Sequence, residues 1–599
     1  MPNFSRRSFL AGSAASGLAL TLPSAQAKTC ALPTKWDFEA DVVIVGAGAV
    51  GLPAAIGARD RGYSVIVIDT NYDIGGHAIL SGGNVPLGGG TLFQKKYGIQ
   101  DDPETYFRDL TDWSIVESGG MPDYRYNDRG VQHTIAYNAA ACCQFLVDNG
   151  VKFVDQAPDN NGGHAIGISA RRELHCRWDK GQSLESPAGA GGTDLMRGLE
   201  ASARQKGVKF LLNYHMDELF REKDGKERVV GLKAHYTPKI HPETKKPLTS
   251  FRQDGNIACT QPTVTLHAKV GVVIATGGNA GNVEFRRMFD PRLTAEYPNA
   301  AAEYSPQDAS GELAAMVIGA SLWGTANQTM DRNGSLRKHP VLGVRTNYIS
   351  WRPESPIFPF VKYTGVFFAN WQNAIIVNQV GKRFYNELEN GYPKGSTEGF
   401  FKDGKPYVHG DWRNTTRKPF RPRNYIDAAL AINEGSKAPD FSAGPQWAIM
   451  DADSIKREHI RLTATSGDPE LFFQADTLEE LANKISHSPA STFKMDPDVL
   501  RATVERYNHF VEIGKDEDFD KPKPKYKIAK GPFYAMSATF AVHDSYAGFR
   551  IDMACRVLDM QGQVIVGLWC GGESTGGSSQ HGLGRCLTQG YVIGQKIGR

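Results

Sequence analysis

The stretch Asp41-Val-Val-Ile-Val-Gly46-Ala-Gly48-Ala-Val-Gly51 constrains the fold of this chain more than any other. Its continuous apolar run predicts a buried parallel strand. Gly46 then permits a tight turn, Gly48 lets a pyrophosphate approach the backbone, and Gly51 lets the next helix pack closely on the strand. Ala49 and Val50 sit between those glycines and share the expected ligand contact. The helix is expected to reach about Arg61, with Gly62 as its stop. A second strand, Ser64 to Asp69, ends in an acid placed to accept hydrogen bonds from ribose hydroxyls, with Thr70 beside it. Strand, glycines, helix, strand and acid in this order predict a dinucleotide site in an α/β, Rossmann-like domain.

The 599 residues suffice for two or more domains. A hydrophobic content of 41% and a charged content of 22% are those of an ordinary globular protein. A formal charge of +3 gives no reason to expect nucleic acid or an acidic membrane as partner. The eight cysteines show no CxxC or CxxCH spacing, which argues against zinc, iron–sulfur and c-type haem sites, and no metal is expected.

At the N-terminus, Ser5-Arg6-Arg7-Ser8-Phe9-Leu10 precedes a modest apolar run and the small residues Ser24 to Ala27. The paired arginines resemble a twin-arginine export signal, with residues 1–27 removed and the periplasm as destination. The apolar run is too short to serve as a stable membrane anchor. That route carries folded proteins, chiefly those loaded with a cofactor, so the twin-arginine machinery is an expected partner.

The segment Asp73-Ile-Gly75-Gly76-His77, followed by Ser81-Gly82-Gly83, resembles the flavin-facing loop of FAD oxidoreductases. From here the chain resembles the fumarate reductase, succinate dehydrogenase and 3-ketosteroid dehydrogenase flavoprotein superfamily. Gly192 to Glu200 and Gly207 to Met216 match that superfamily's helix and the strand passing the adenine. Val272 to Gly278, with Thr276 and Gly277, matches the turn that touches the cofactor again. Ala374 to Glu387 matches the segment VNxxGKRFxNE of the second domain. Val566 to Glu573 resembles the strand whose acid reaches the ribityl chain, and a helix beginning near Cys586 and Leu587 would point its N-terminus at the flavin.

The resemblance implies a glutathione-reductase-type FAD domain in two pieces, residues 37–330 and 531–599, with an inserted α+β capping domain at 331–530. It implies FAD as cofactor, bound non-covalently, with attachment through His77 as the alternative. Residues 236–262 read as an extra hairpin or loop.

The superfamily exchanges a hydride between flavin N5 and a C–C bond, while a side chain moves the proton on the neighbouring carbon. The reductases' NELTTRD motif reads Asn386 to Tyr392 here, without the arginine acid. Their NRLGGN motif reads His581-Gly582-Leu583-Gly584-Arg585-Cys586, so glycine replaces the arginine that clamps a substrate carboxylate. The carboxylate-binding HPT motif has no counterpart near Asn327 to Met330. Tyr392 is similar to the proton-moving tyrosine of ketosteroid dehydrogenases, although their HTYxGPG motif is absent. Ala541 to Gly548 is similar to the segment AVHHTMGG, with His543 kept. The catalytic candidates are therefore Tyr392, His543, Tyr546, His581 and Arg585.

These departures favour dehydrogenation of a bulky, uncharged ketosteroid-like or aromatic substrate, with a separate electron carrier. Reduction of an unsaturated carboxylate or enone is the alternative. A non-catalytic flavin-binding or electron-transfer subunit is the reading from a different class.

Overall fold

The computed structural model describes residues 32–118, 128–159, 169–179, 184–222, 227–289, 293–324, 332–333, 341–342, 351–352, 354–361, 366–367, 370–384, 386–388, 401–402, 405–406, 445–460, 469–489, 491, 493–539, 541–542, 544–578, 580 and 582–599. For 112–118, 332–333, 341–342, 366–367, 401–402, 405–406 and 541 it describes the backbone alone. The export signal of residues 1–27 lies outside the described residues. Among those described, no helix is long and apolar enough to cross a membrane.

The apolar run at the start becomes strand β1 (Phe38–Val45), followed by helix α1 (Gly51–Asp60) and strand β2 (Val65–Asp69). Val42, Val43 and Ile44 are fully buried, as a strand covered on both faces requires. Helices α2 (Arg129–Asp148) and α3 (Gly191–Gln205) precede strands β3 (Lys209–Leu212), β4 (Tyr214–Arg221), β5 (Val229–Tyr236) and β6 (Thr263–Ile274), and helix α4 (Ser310–Val317) closes the segment.

A smaller antiparallel sheet contains β7 (Ile375–Val377), β8 (Trp447–Asp451) and β9 (Phe472–Ala475), with helices α5 (Leu478–Ser486) and α6 (Pro497–Ile513), then β10 (Phe533–Ser537). The chain returns through β11 (Arg556–Leu558), β12 (Val564–Cys570) and helix α7 (Leu583–Lys596).

The large sheet runs β11-β12-β6-β1-β2-β3, with β5 added antiparallel to β6 and β4 antiparallel to β5. β1 pairs in parallel with β2 and with β6, and β12 joins the last residues of β6 in parallel. The two distant ends of the chain therefore share one sheet, as a discontinuous Rossmann-like domain demands. α7 lies against α1 with Gly594 on Gly57, where a Cβ on either residue would approach the other's Cα to 2.8–2.9 Å.

The capping boundary differs from the sequence expectation. Phe533–Ser537, assigned there to the returning FAD segment, is hydrogen-bonded between β8 and β9 in the smaller sheet. Pairing of a strand with distant partners, not its own composition, decides to which sheet it belongs. The loop at 237–262 covers the edge of β3 through a Phe210–Asn256 bridge, and its Ser250 hydroxyl donates to Asp73 at 2.9 Å.

Candidate functional site

Three loops meet at the carboxyl ends of β1, β2 and β6, the expected place for a ligand in an open α/β sheet. Gly46 has φ +107° and a Cβ there would overlap the carbonyl of Ala275, while one on Gly51 would overlap that of Gly46. Both glycines are needed by the fold itself. Gly48 is different, since a Cβ placed there would meet nothing nearer than Gly75 O at 4.0 Å. Gly76, at φ +51°, likewise faces only Gly48 Cα at 3.6 Å. Space beside these two backbones is left open. Gly46, Gly48, Thr70, Gly76, His77, Ser81, Thr276 and Gly277 are partly exposed among otherwise buried neighbours and mark the groove. Ala49, Val50 and Gly75 are buried beneath it, Gly82 is exposed, and Gly83 packs on Gly191. Met216 is buried in β4.

Asp69 already has two partners. Its Oδ2 accepts from Ala47 N–H at 2.7 Å and its Oδ1 from Asn71 N–H at 2.8 Å. Burial outweighs these bonds and lifts the carboxyl to about 6. The acid read from sequence as a ribose ligand thus shapes the glycine turn. Asp73 likewise receives Arg197 at 2.6 Å, which ties the flavin-facing loop to α3.

The far wall comes from the last segment. Glu573 Oε2 accepts from Gln307 Nε2 at 2.9 Å, and the same nitrogen donates to Gly277 O at 2.8 Å. Ser574 Oγ accepts from Gly278 N–H at 3.0 Å, and Gln589 Oε1 from Gly572 N–H at 2.7 Å. α7 starts at Leu583, earlier than the start near Cys586 expected from sequence, because Gly582 turns at φ +70°. Among the described residues, no side chain caps it. Arg585, Cys586 and Leu587 are therefore buried in its first turns.

Arg585 is fully buried. Its Nη2 donates to Ser545 O at 2.8 Å, and its guanidinium lies 5.1 Å from the Tyr546 ring centroid. Among the described residues, its Nε and Nη1 find no hydrogen-bond acceptor. Burial works against its charge, but Cys586, Asp544, Glu573 and Tyr546 outweigh that and hold it above the ordinary range. Of the catalytic candidates, the structure brings Tyr546 and Arg585 together. Tyr392, His543 and His581 lie outside the described residues.

Residues 41–332 and 359–586 match the FAD binding domain family. The chain belongs to that family. It is an FAD-dependent oxidoreductase. It is similar, at 25% identity over 548 residues, to the NADH:fumarate oxidoreductase of Klebsiella pneumoniae. That match covers 90% of this chain and 44% of the relative, so the chain spans less than half of that protein's length. It is also 25% identical over 563 residues to the urocanate reductase of Eggerthella lenta, covering 94% of this chain and 74% of that one. The open conformation of a flavocytochrome c3 fumarate reductase superposes with a TM-score of 0.59 at 22% identity, over 94% of this chain and 78% of the other. That likeness establishes the fold.

The residues of this family member fit FAD on structural grounds. The open backbone at Gly48 and Gly76 leaves room for a pyrophosphate, and Gly277 borders the same groove. The uncapped first turn of α7 and the two unsatisfied donors of Arg585 suit an electron-rich ring edge. Gln307, Ser574 and Gln589 were not apparent from sequence. They belong to no local motif, and their partners stand up to 298 residues away.

Proposed function

We propose that this flavoprotein transfers a hydride between FAD and a C–C bond conjugated to a carbonyl or aromatic group, in the direction of reduction. FAD, when bound, supplies hydride exchange at its N5. The observation carrying the proposal is Arg585, a fully buried cation in the first turn of α7 whose Nε and Nη1 find no acceptor among the described residues. Such a group stabilises negative charge that develops on a flavin or substrate oxygen. The Tyr546 ring beneath it and Ser545 O fix the guanidinium plane, while Gln307 holds Glu573 against Gly277.

The proton for the neighbouring carbon is assigned to Tyr392, His543 or His581, on sequence alone. Names of the curated relatives support reduction: one is a fumarate oxidoreductase and another reduces urocanate, whose double bond is conjugated to a ring. Glycine at 582 in place of the clamp arginine argues against a small dicarboxylate. Dehydrogenation of a bulky ketone is the second reading, supported by the same missing clamp and by the position of Tyr392. A non-covalent flavin, twin-arginine export and a separate electron carrier complete the proposal.

The direction is tested on FAD-loaded protein under anaerobic conditions. Reduced viologen is offered with enones, aryl acrylates and fumarate, and an oxidising dye with the saturated counterparts. Turnover of an enone or aryl acrylate faster than either fumarate or the dye reaction is expected. Dye-linked oxidation alone would overturn the direction.

A further inference from the structure

Across the antiparallel pair β4–β5, His215 stands directly opposite His235, their ring centroids 5.0 Å apart. The register of β4 slips between Met216 and Glu218. This bulge leaves Asp217 out of the ladder and re-aims its side chain. Asp217 Oδ1 lies 2.7 Å from His235 Nδ1 and 3.2 Å from His215 Nδ1. One ligand atom from each residue thus falls within 4.8 Å of the others. On its other side, His215 Nε2 lies 2.9 Å from Asp308 Oδ2, in the loop before α4. Asp308 is itself fixed, because its Oδ1 accepts from Ser310 N–H at 3.0 Å.

We propose that His215, Asp217 and His235 bind a divalent cation of the zinc type, with Asp308 as the positioning residue. Two imidazoles and one carboxylate are a ligand set suited to Zn²⁺ and neighbouring late transition metals. Ligand atoms about 2.0–2.1 Å from a tetrahedral ion stand roughly 3.3 Å from each other, close to the spacing already present. A ligating histidine commonly donates its second N–H to a carboxylate, which fixes the tautomer and turns the other nitrogen's lone pair to the metal. Asp308 occupies that place for His215.

The side chains of His215, Asp217 and His235 are 25%, 28% and 45% exposed, so an ion can enter from solvent and keep a water in its coordination shell. The nearby Lys233 is engaged with Glu218 at 3.6 Å. Cysteine spacing had pointed away from metal, but this set contains no cysteine and is assembled by strand register and a bulge.

The test uses full-length, FAD-loaded protein, stripped by chelator and titrated calorimetrically with ZnCl₂, with bound zinc counted by elemental analysis. One equivalent is expected to bind and to survive gel filtration, with a rise in thermal midpoint. His235→Ala should weaken binding at least 100-fold with flavin content and circular dichroism unchanged. Asp308→Asn should weaken it about 10- to 100-fold without changing the stoichiometry. Equal zinc affinity in wild type, His235→Ala and His215→Ala, or no zinc retained by wild type, would overturn the site.

Discussion

Arg585 carries a charge where solvent does not reach, and its Nη2 donates to the Ser545 carbonyl while, among the described residues, Nε and Nη1 find no hydrogen-bond acceptor. A buried guanidinium in that state is costly unless a further acceptor arrives. Arg585→Gln is therefore expected to keep the fold and most of the FAD, and to lower kcat by about 10²–10³, the usual effect of removing a preorganised donor. Unchanged steady-state turnover would remove Arg585 from the chemistry.

Glu312, in the first turn of α4, supplies a second prediction at this scale. Burial chiefly, and then the charge of Asp308, raises its carboxyl from 4.5 to about 7. A folded value above the unfolded one stabilises the protein below pH about 4.5, and that contribution is lost as pH rises through 7. The loss is on the order of 3 kcal/mol. Glu312→Gln should therefore raise the urea midpoint relative to wild type at about pH 8 and not below about pH 4. An equal difference at both values would contradict this account.

Among the elements, the crossing of α1 and α7 carries the most consequence. Gly57 and Gly594 bring two backbones together, and a Cβ on Gly590 would approach Val50 O to 2.5 Å. This contact holds the C-terminal helix, with Arg585 and Cys586 in its first turns, against the N-terminal glycine loop. Gly594→Leu is expected to cost about 1–3 kcal/mol through overpacking. Thermal release of flavin should then come at a lower temperature than in wild type. Identical release curves would show that the two helices do not hold the groove closed.

Elements that fold from local signals were legible in the sequence. The run from Asp41 to Gly51 became the expected strand, turn and helix because Gly46 and Gly51 serve contacts within that unit or with the adjacent loop at 275. Phe533–Ser537 falls in the segment expected to return to the FAD domain, yet it pairs with β8 and β9, because the choice between two sheets lies with those distant partners. The Asp217 bulge was hidden for a similar reason: nothing in its own residues announces a slip against β5. Asp69 was identified as important, but its two backbone hydrogen bonds depend on how Ala47 and Asn71 fold back toward it.

On the scale of the whole molecule, one sheet is built from two chain segments separated by the capping insertion, and the groove is bounded by both. Gly48 and Gly76 belong to the first segment, and Glu573 and Arg585 to the second. Family membership and this geometry together define the cofactor. The most direct measurement follows the visible spectrum of the purified protein after anaerobic reduction with one equivalent of dithionite. The account predicts a yellow protein with one FAD per chain, whose bleached band returns on adding an enone or aryl acrylate and does not return on adding fumarate. A colourless protein, or a band restored by air alone, would contradict it.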